Sequence, residues 1–219
     1  MNYKLVGTNH ISNQSKQEIK KEFSEYMPDI IAVELDLNRY KALKNKEKQK
    51  LSLSAIKTIG LTGYLFALIG RIVQNKLGKI MNVQPGEEMF LATTLAKQNK
   101  LKLFLIDQDI RVTLRNLSKK VSTKEKLRML KDLLLAPFSK NKTKIDISKV
   151  PPEEILKKIM VEFQTKYSQT YKVLLEDRNH YMANQIKKIS QLHPDQKILV
   201  VIGAGHQRGM LKILENARN

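Results

Sequence analysis

The chain has 219 residues, 42% hydrophobic and 28% charged, a composition that excludes a disordered or fibrous protein and leaves room for one substantial core. Cysteine is absent, which excludes disulfides and thiolate-bound metal, leaves His and carboxylates as metal ligands, and fits a reducing cytoplasm. The net charge of +19 draws the chain toward anions, but its lysines are scattered without an Arg-rich helix or an aromatic stacking platform, so a solvated basic surface is expected and a nucleic-acid partner is not.

The apolar run Tyr3 to Val6 predicts a strand, with no secretion signal ahead of it. Ser15 to Met27 places Ile19, Phe23 and Tyr26 at helical spacing and ends at Pro28-Asp29. Ile30 to Glu34 then predicts a second strand, completing a βαβ unit of right-handed default. Helical patterns follow over Asp36 to Lys48, Ile59 to Ile72 and Gly86 to Lys97. The second of these lies between Lys57 and Arg71 and falls short of the roughly 18 apolar residues that a spanning helix needs. It reads as a buried or groove-lining helix, and peripheral membrane contact through Tyr64, Phe66, Leu68 and Ile69 stays open.

Leu101 to Ile106 predicts the third strand and Lys197 to Ile202 the fourth. Their continuous apolar runs, Leu103 to Ile106 and Ile198 to Ile202, have the character of strands buried on both faces of a parallel sheet. Between them come helical patterns over Thr123 to Leu135, Pro151 to Tyr167 and Ser168 to Leu192, with Lys140 to Val150 as the clearest loop. The expectation is a single α/β domain over residues 1–219. It has a mostly parallel central sheet with flanking helices and a large helical insertion, made of residues 36–100 and 110–195 between strands.

Ligands of open parallel sheets bind beyond the carboxyl ends of the strands. All four strand exits here are polar. The first runs into Gly7-Thr8-Asn9-His10, the second into Glu34-Leu35-Asp36 with Arg39, the third into Asp107-Gln108-Asp109, and the fourth into Gly203-Ala204-Gly205-His206. His10 and His206 therefore share one Gly-x-x-His frame after a strand, with Glu34 and Asp107 as carboxylates from neighbouring strands. Two imidazoles and a carboxylate suffice to hold a divalent ion with positions left open for water and substrate. A metal-free reading has one histidine as general base and Arg39, Arg111 or Arg178 stabilising an oxyanion. Glycines at 7, 203 and 205 let backbone approach a ligand, although Gly-Ala-Gly also makes plain tight turns and strand-end Asp commonly caps a helix.

These residues resemble the TraB/PrgY/GumN family, whose relatives include the Tiki metalloproteases. The resemblance rests on six ordered blocks: Gly7 to His10 with Ser12 and Ser15; Pro28-Asp29 through Val33 to Asp36 and Arg39; Pro85 to Met89; Leu105 to Asp109 with Thr113-Leu114; Asp177 to Asn179 with Tyr181 to Ala183; and Val201 to His206 with Gly209. The resemblance implies a site of His10, Glu34, Glu88, Arg178 and His206, and peptide hydrolysis dependent on a divalent metal such as Mn, Co or Zn. Reading the strand exits alone reaches His10, Glu34 and His206 but would not select Glu88, whose place in a helix's first turn already favours an acid. The chain departs from the family pattern after the third strand, where Gln108 stands in place of a common arginine. Many relatives also carry a membrane-spanning C-terminal part.

The leading expectation is a metal-assisted hydrolase of a peptide or similar small amide or ester, with His10 and His206 holding the ion, Glu34 and Glu88 as catalytic carboxylates, and Arg178 steadying the tetrahedral intermediate. Its rival, also drawn from the resemblance, is a PrgY-like protein that captures a peptide without cleaving it. Association with nucleic acid or membrane through the lysines is a third, weaker reading, and homo-oligomerisation stays open.

Overall fold

Four short strands hydrogen-bond into one parallel sheet in the order β1-β4-β2-β3. They are β1 (Tyr3–Thr8), β2 (Ile30–Val33), β3 (Lys102–Leu105) and β4 (Ile198–Gly203). This computed structural model describes residues 2–8, 13–45, 52–81, 86–135 and 153–216. The α/β class and the parallel sheet with flanking helices agree with the sequence reading. The expected loop over Lys140 to Val150 lies outside the described residues.

The side-chain alternation of the two central strands builds two cores. Ile30 and Ala32 of β2, with Ile198, Val200 and Ile202 of β4, face α9 (Asp177–Leu192) and α10 (Ala204–Asn216), where Met182, Ile186, Met210 and Leu214 are buried. Ile31 and Val33, with Leu199 and Val201, face α1 (Asn13–Tyr26) and α4 (Glu87–Gln98), where Ile19, Met89, Ala92 and Ala96 are buried. Helices on both faces explain why β2 and β4 are buried along their whole length. The third strand differs from its reading: β3 is an edge strand whose Leu103, Phe104 and Leu105 are only half-buried. An apolar run looks the same in sequence whether the strand is central or at a covered edge.

The first two strands are not neighbours. β4 is inserted between β1 and β2, pairing with both in register, Val6 with Val201 and Val33 with Val201. Hence β1 leads to α1 on one face while adjacent β4 leads to α10 on the other. Such a parting of connections is the topological switch point at which open parallel sheets bind ligands.

The chain folds as two compact units. Residues 1–50, 82–110 and 175–219 make the sheet unit, which holds the strands together with α1, α2 (Leu37–Asn45), α4, α9 and α10. Residues 51–81 and 111–174 make a helical unit. It contains α3 (Ala55–Met81), most of α5 (Ile110–Lys120), α6 (Thr123–Leu135), α7 (Glu153–Lys166) and α8 (Ser168–Tyr171). Its own small core joins Leu117, Val121 and Val173 with Phe66, Leu114 and Leu174. The long helix read over Ser168 to Leu192 is broken by a π-helical turn, Lys172–Glu176, directly before α9. Inserted π turns of this kind frequently accompany functional sites.

Candidate functional site at the strand ends

The parallel register sets the first geometry of the site. Thr8 pairs with Gly203, so the ends of β1 and β4, distant in sequence, lie side by side. A Cβ on Gly7 would stand 2.3 Å from Gln207 Oε1, so the end of β1 packs directly against the first turn of α10. Asn9 and His10 lie outside the described residues, and His206 is buried in α10.

Glu34 follows β2 and crosses to the tip of β4. Its backbone N–H donates to Val201 O at 3.0 Å, and its Oε2 accepts from the Gly203 N–H at 2.7 Å. The exit of β3 runs alongside, with the Ile106 N–H donating to Val33 O at 3.0 Å and the Asp107 N–H to Leu35 O at 3.2 Å. Both carboxylates are thereby delivered, buried, to one rim.

Arg178 binds them together from the first turn of α9. Its Nη2 donates to Glu34 Oε1 at 2.6 Å and to Asp107 Oδ2 at 2.8 Å, and its Nε donates to Asp107 Oδ1 at 3.0 Å. The fork is bidentate toward Asp107, the geometry for which a planar guanidinium is suited. Arg39 of α2 adds a second cation, donating from Nη1 to Asp107 Oδ2 at 3.2 Å. Its helix is capped by Asp36 Oδ1, which accepts from the backbone of Asn38 and Arg39. Burial works against the charge on Arg178, but Asp107 and then Glu34 outweigh it and raise the guanidinium's pKa well above the ordinary arginine value. Arg178 is permanently cationic.

His206 completes the cluster. Its Nδ1 lies 2.6 Å from Asn179 Oδ1, its Nε2 lies 3.1 Å from Arg178 Nη1, and Nε2 is 3.3 Å from Glu34 Oε1. With Asn179 Oδ1 as acceptor, Nδ1 carries the proton, and the Nε2 lone pair is the group that meets the Arg178 N–H. Asn179 was not selected from the sequence as a site residue. The available signal is its spacing: it shares the helical face of Met182, Ala183 and Ile186, and a buried polar residue in such a stripe requires a partner.

Glu34, Asp107, Arg39, Arg178 and His206 therefore converge, with Gly203 contributing its N–H. Gly205 is exposed in the first turn of α10 and Gly7 lines the neighbouring β1 end. Glu88 is buried in the first turn of α4, a helix that packs on the opposite face of the sheet from α9 and α10. Arg111 belongs to the helical unit.

A divalent ion at this site is what the resemblance implies. The described residues offer His206 Nε2 and Glu34 Oε1 as ligand atoms, and Arg178 contacts both at hydrogen-bond distance. No group of three His, Asp or Glu side chains is arranged to hold an ion among the described residues. These two donor atoms lie 3.3 Å apart and each also meets a nitrogen of Arg178, while His10, the other imidazole of the expected donor set, lies outside the described residues.

Comparison with known proteins agrees with this arrangement of motifs. The TraB/PrgY/gumN family model matches residues 3–219. An uncharacterized protein of Methanocaldococcus jannaschii, MJ1365, is 30% identical over 219 residues, covering 98% of this chain and 54% of the relative. The human and bovine TraB domain-containing proteins are 26% and 25% identical over 234 residues, covering 95% of this chain and 61% of each relative. The chain thus spans between about half and three fifths of the length of these curated relatives. By its near-complete match and the order of its motifs, the chain belongs to the TraB/PrgY/gumN family.

Proposed function

We propose that this protein hydrolyses a peptide or a similar small amide or ester at the rim where β2, β3 and β4 end. The observation that carries the reading is the contact of His206 Nε2 with both Arg178 Nη1 at 3.1 Å and Glu34 Oε1 at 3.3 Å. A base, a cation and a carboxylate share one hydrogen-bonding shell.

In this reading the Asn179 acceptor holds the Nδ1–H tautomer, so Nε2 is the basic atom. The substrate carbonyl oxygen draws the Arg178 Nη1–H away from Nε2, which frees the lone pair to take a proton from an attacking water. Water oxygen bonds to the carbonyl carbon, the proton passes to Nε2, and the Arg178 N–H meets the developing oxyanion. Glu34 stabilises the imidazolium so formed. Collapse of the tetrahedral intermediate breaks the bond to the leaving amine or alkoxide, which takes the proton back from Nε2.

The test is turnover of a peptide library by purified protein, with chelator and separately with Mn(II), Co(II) or Zn(II). The metal-free reading expects cleavage that survives chelator and falls by about a hundredfold or more in His206→Ala. Cleavage only with added ion would overturn it in favour of metal-assisted hydrolysis. A second reading, peptide capture without turnover, is favoured by the satisfaction of Arg178 by protein groups at Nε, Nη1 and Nη2. Saturable binding of peptides with no cleavage under any ion would select it.

A further inference from the structure

The positive charge of the protein is unevenly divided. The helical unit, residues 51–81 and 111–174, contains 20 of the 40 lysines and arginines but only six of the 21 acidic residues, so it carries +14 of the net +19. The sheet unit that holds the strand-end site is left with +5. Neither the site nor the proposed reaction uses this concentration of charge.

The same unit exposes leucines in register. On α6, the side facing the unit's own helices is defined by its bonds: Glu125 accepts from the Thr170 hydroxyl at 2.7 Å and its backbone N–H at 2.8 Å, Met129 Sδ accepts from the same hydroxyl, and Asp132 pairs with Lys166 at 2.8 Å. Leu127 and Leu130 lie roughly half a turn away on the helix. They are 66% and 50% exposed, and exposed Lys124 and Lys131 flank them.

Helix α3 repeats the pattern. A Cβ on Gly63 would stand 2.6 Å from Leu114 O of α5, and Phe66 joins the unit's core, which defines the inner face. On the outer face Leu61, Leu65 and Leu68 follow one another at helical spacing and are 62%, 47% and 38% exposed. Exposed Lys57 precedes this row and exposed Arg71 follows it. Phe66, which the sequence reading grouped with a membrane-contacting set, points instead into the core.

We propose that the helical unit docks on an anionic bilayer surface, with the outer leucines of α3 and α6 entering the headgroup boundary and the lysines and arginines beside them meeting lipid phosphates and carboxylates. Rows of leucine bordered by long cationic side chains match the chemistry of a negatively charged interface, where the apolar tips leave water and the charges stay at headgroup level. No helix of the described residues is long and apolar enough to cross a membrane, so the contact is peripheral. Nucleic acid would match the charge but offers nothing to the leucines, and the exposed rows include no aromatic residue for stacking on bases. A second copy of the chain would match the leucines but would bring the same +14 against itself. This inference is independent of the chemistry at the strand ends.

The experiment is flotation of the full chain with phosphatidylserine-containing vesicles and with pure phosphatidylcholine vesicles, at low and high salt. Binding is expected to the first, weakened by salt and absent from the second. Leu61→Glu with Leu65→Glu, and separately Lys124→Glu with Lys131→Glu, are each expected to lower the bound fraction at least about tenfold. These side chains are solvent-exposed, and circular dichroism of each variant checks that the helices persist. No binding to phosphatidylserine vesicles overturns the proposal. So does salt-sensitive binding to DNA that the leucine substitutions leave unchanged, or a leucine-dependent dimer that ignores vesicles.

Discussion

Arg178 donates to Glu34 at 2.6 Å across 144 residues of chain, joining the first turn of α9 to the end of β2. Both side chains are largely withdrawn from solvent, at 15% and 6% exposure, so neither charge tolerates loss of the other. Arg178→Ala is expected to destabilise the protein by about 3–5 kcal/mol in urea denaturation, because it takes the buried cation away from two buried carboxylates and leaves Asp107 with the more exposed Arg39. Arg178→Lys should recover only part of this, since a point charge cannot reproduce the bidentate fork to Asp107. A loss below about 1 kcal/mol would mean that the cluster is screened as a surface pair is.

Asn179 should control which nitrogen of His206 carries the proton. Its Oδ1 lies 2.6 Å from Nδ1. In Asn179→Ala, nitrogen NMR of the imidazole is expected to show loss of the pure Nδ1–H tautomer. Turnover, once a substrate is found, should fall about tenfold to a hundredfold with KM little changed. An unaltered tautomer would remove Asn179 from the site's working parts.

Gly209 tests the same contact from the other side. A Cβ there would stand 2.3 Å from Asn179 Nδ2, and the short Asn side chain has little freedom to withdraw while it remains bonded to His206. Gly209→Ala is expected to cost about 1–3 kcal/mol through overpacking and to disturb the His206 tautomer as Asn179→Ala does. Gly7→Ala is the contrasting case, because the atoms it would meet belong to the longer side chain of Gln207. A larger loss for Gly7→Ala than for Gly209→Ala would contradict this account.

Within the helical unit, Asp132 accepts from Lys166 at 2.8 Å and from the Tyr167 hydroxyl. The Lys166 bond first, then the Tyr167 bond, holds its carboxyl below the usual aspartate range. A carboxyl whose pKa is depressed by folding contributes stability above its unfolded value of about 3.9 and loses it as the pH falls through the lower folded value. Thermal melting followed from neutral pH into this acid range should therefore show a decline that Asp132→Asn reduces. An identical acid limb in the variant would show that the pair adds nothing measurable.

The four strands, α1, α4 and the polar character of each strand exit were legible in the amino-acid sequence, because alternation and helical spacing are imposed over a few residues and need no knowledge of distant partners. Glu34, Asp107 and His206 could be found that way, as the first charged or titratable groups at or beyond an apolar run. The tertiary structure alone decided that β4 lies between β1 and β2, that β3 is an edge, and that Arg178 joins Glu34 to Asp107. It also decided that Asn179 meets His206 and that the excess charge gathers on the helical unit. Each of these depends on which segments share a face after the sheet assembles, and strand pairing and desolvated ion pairs join residues over separations at which local propensity carries no information.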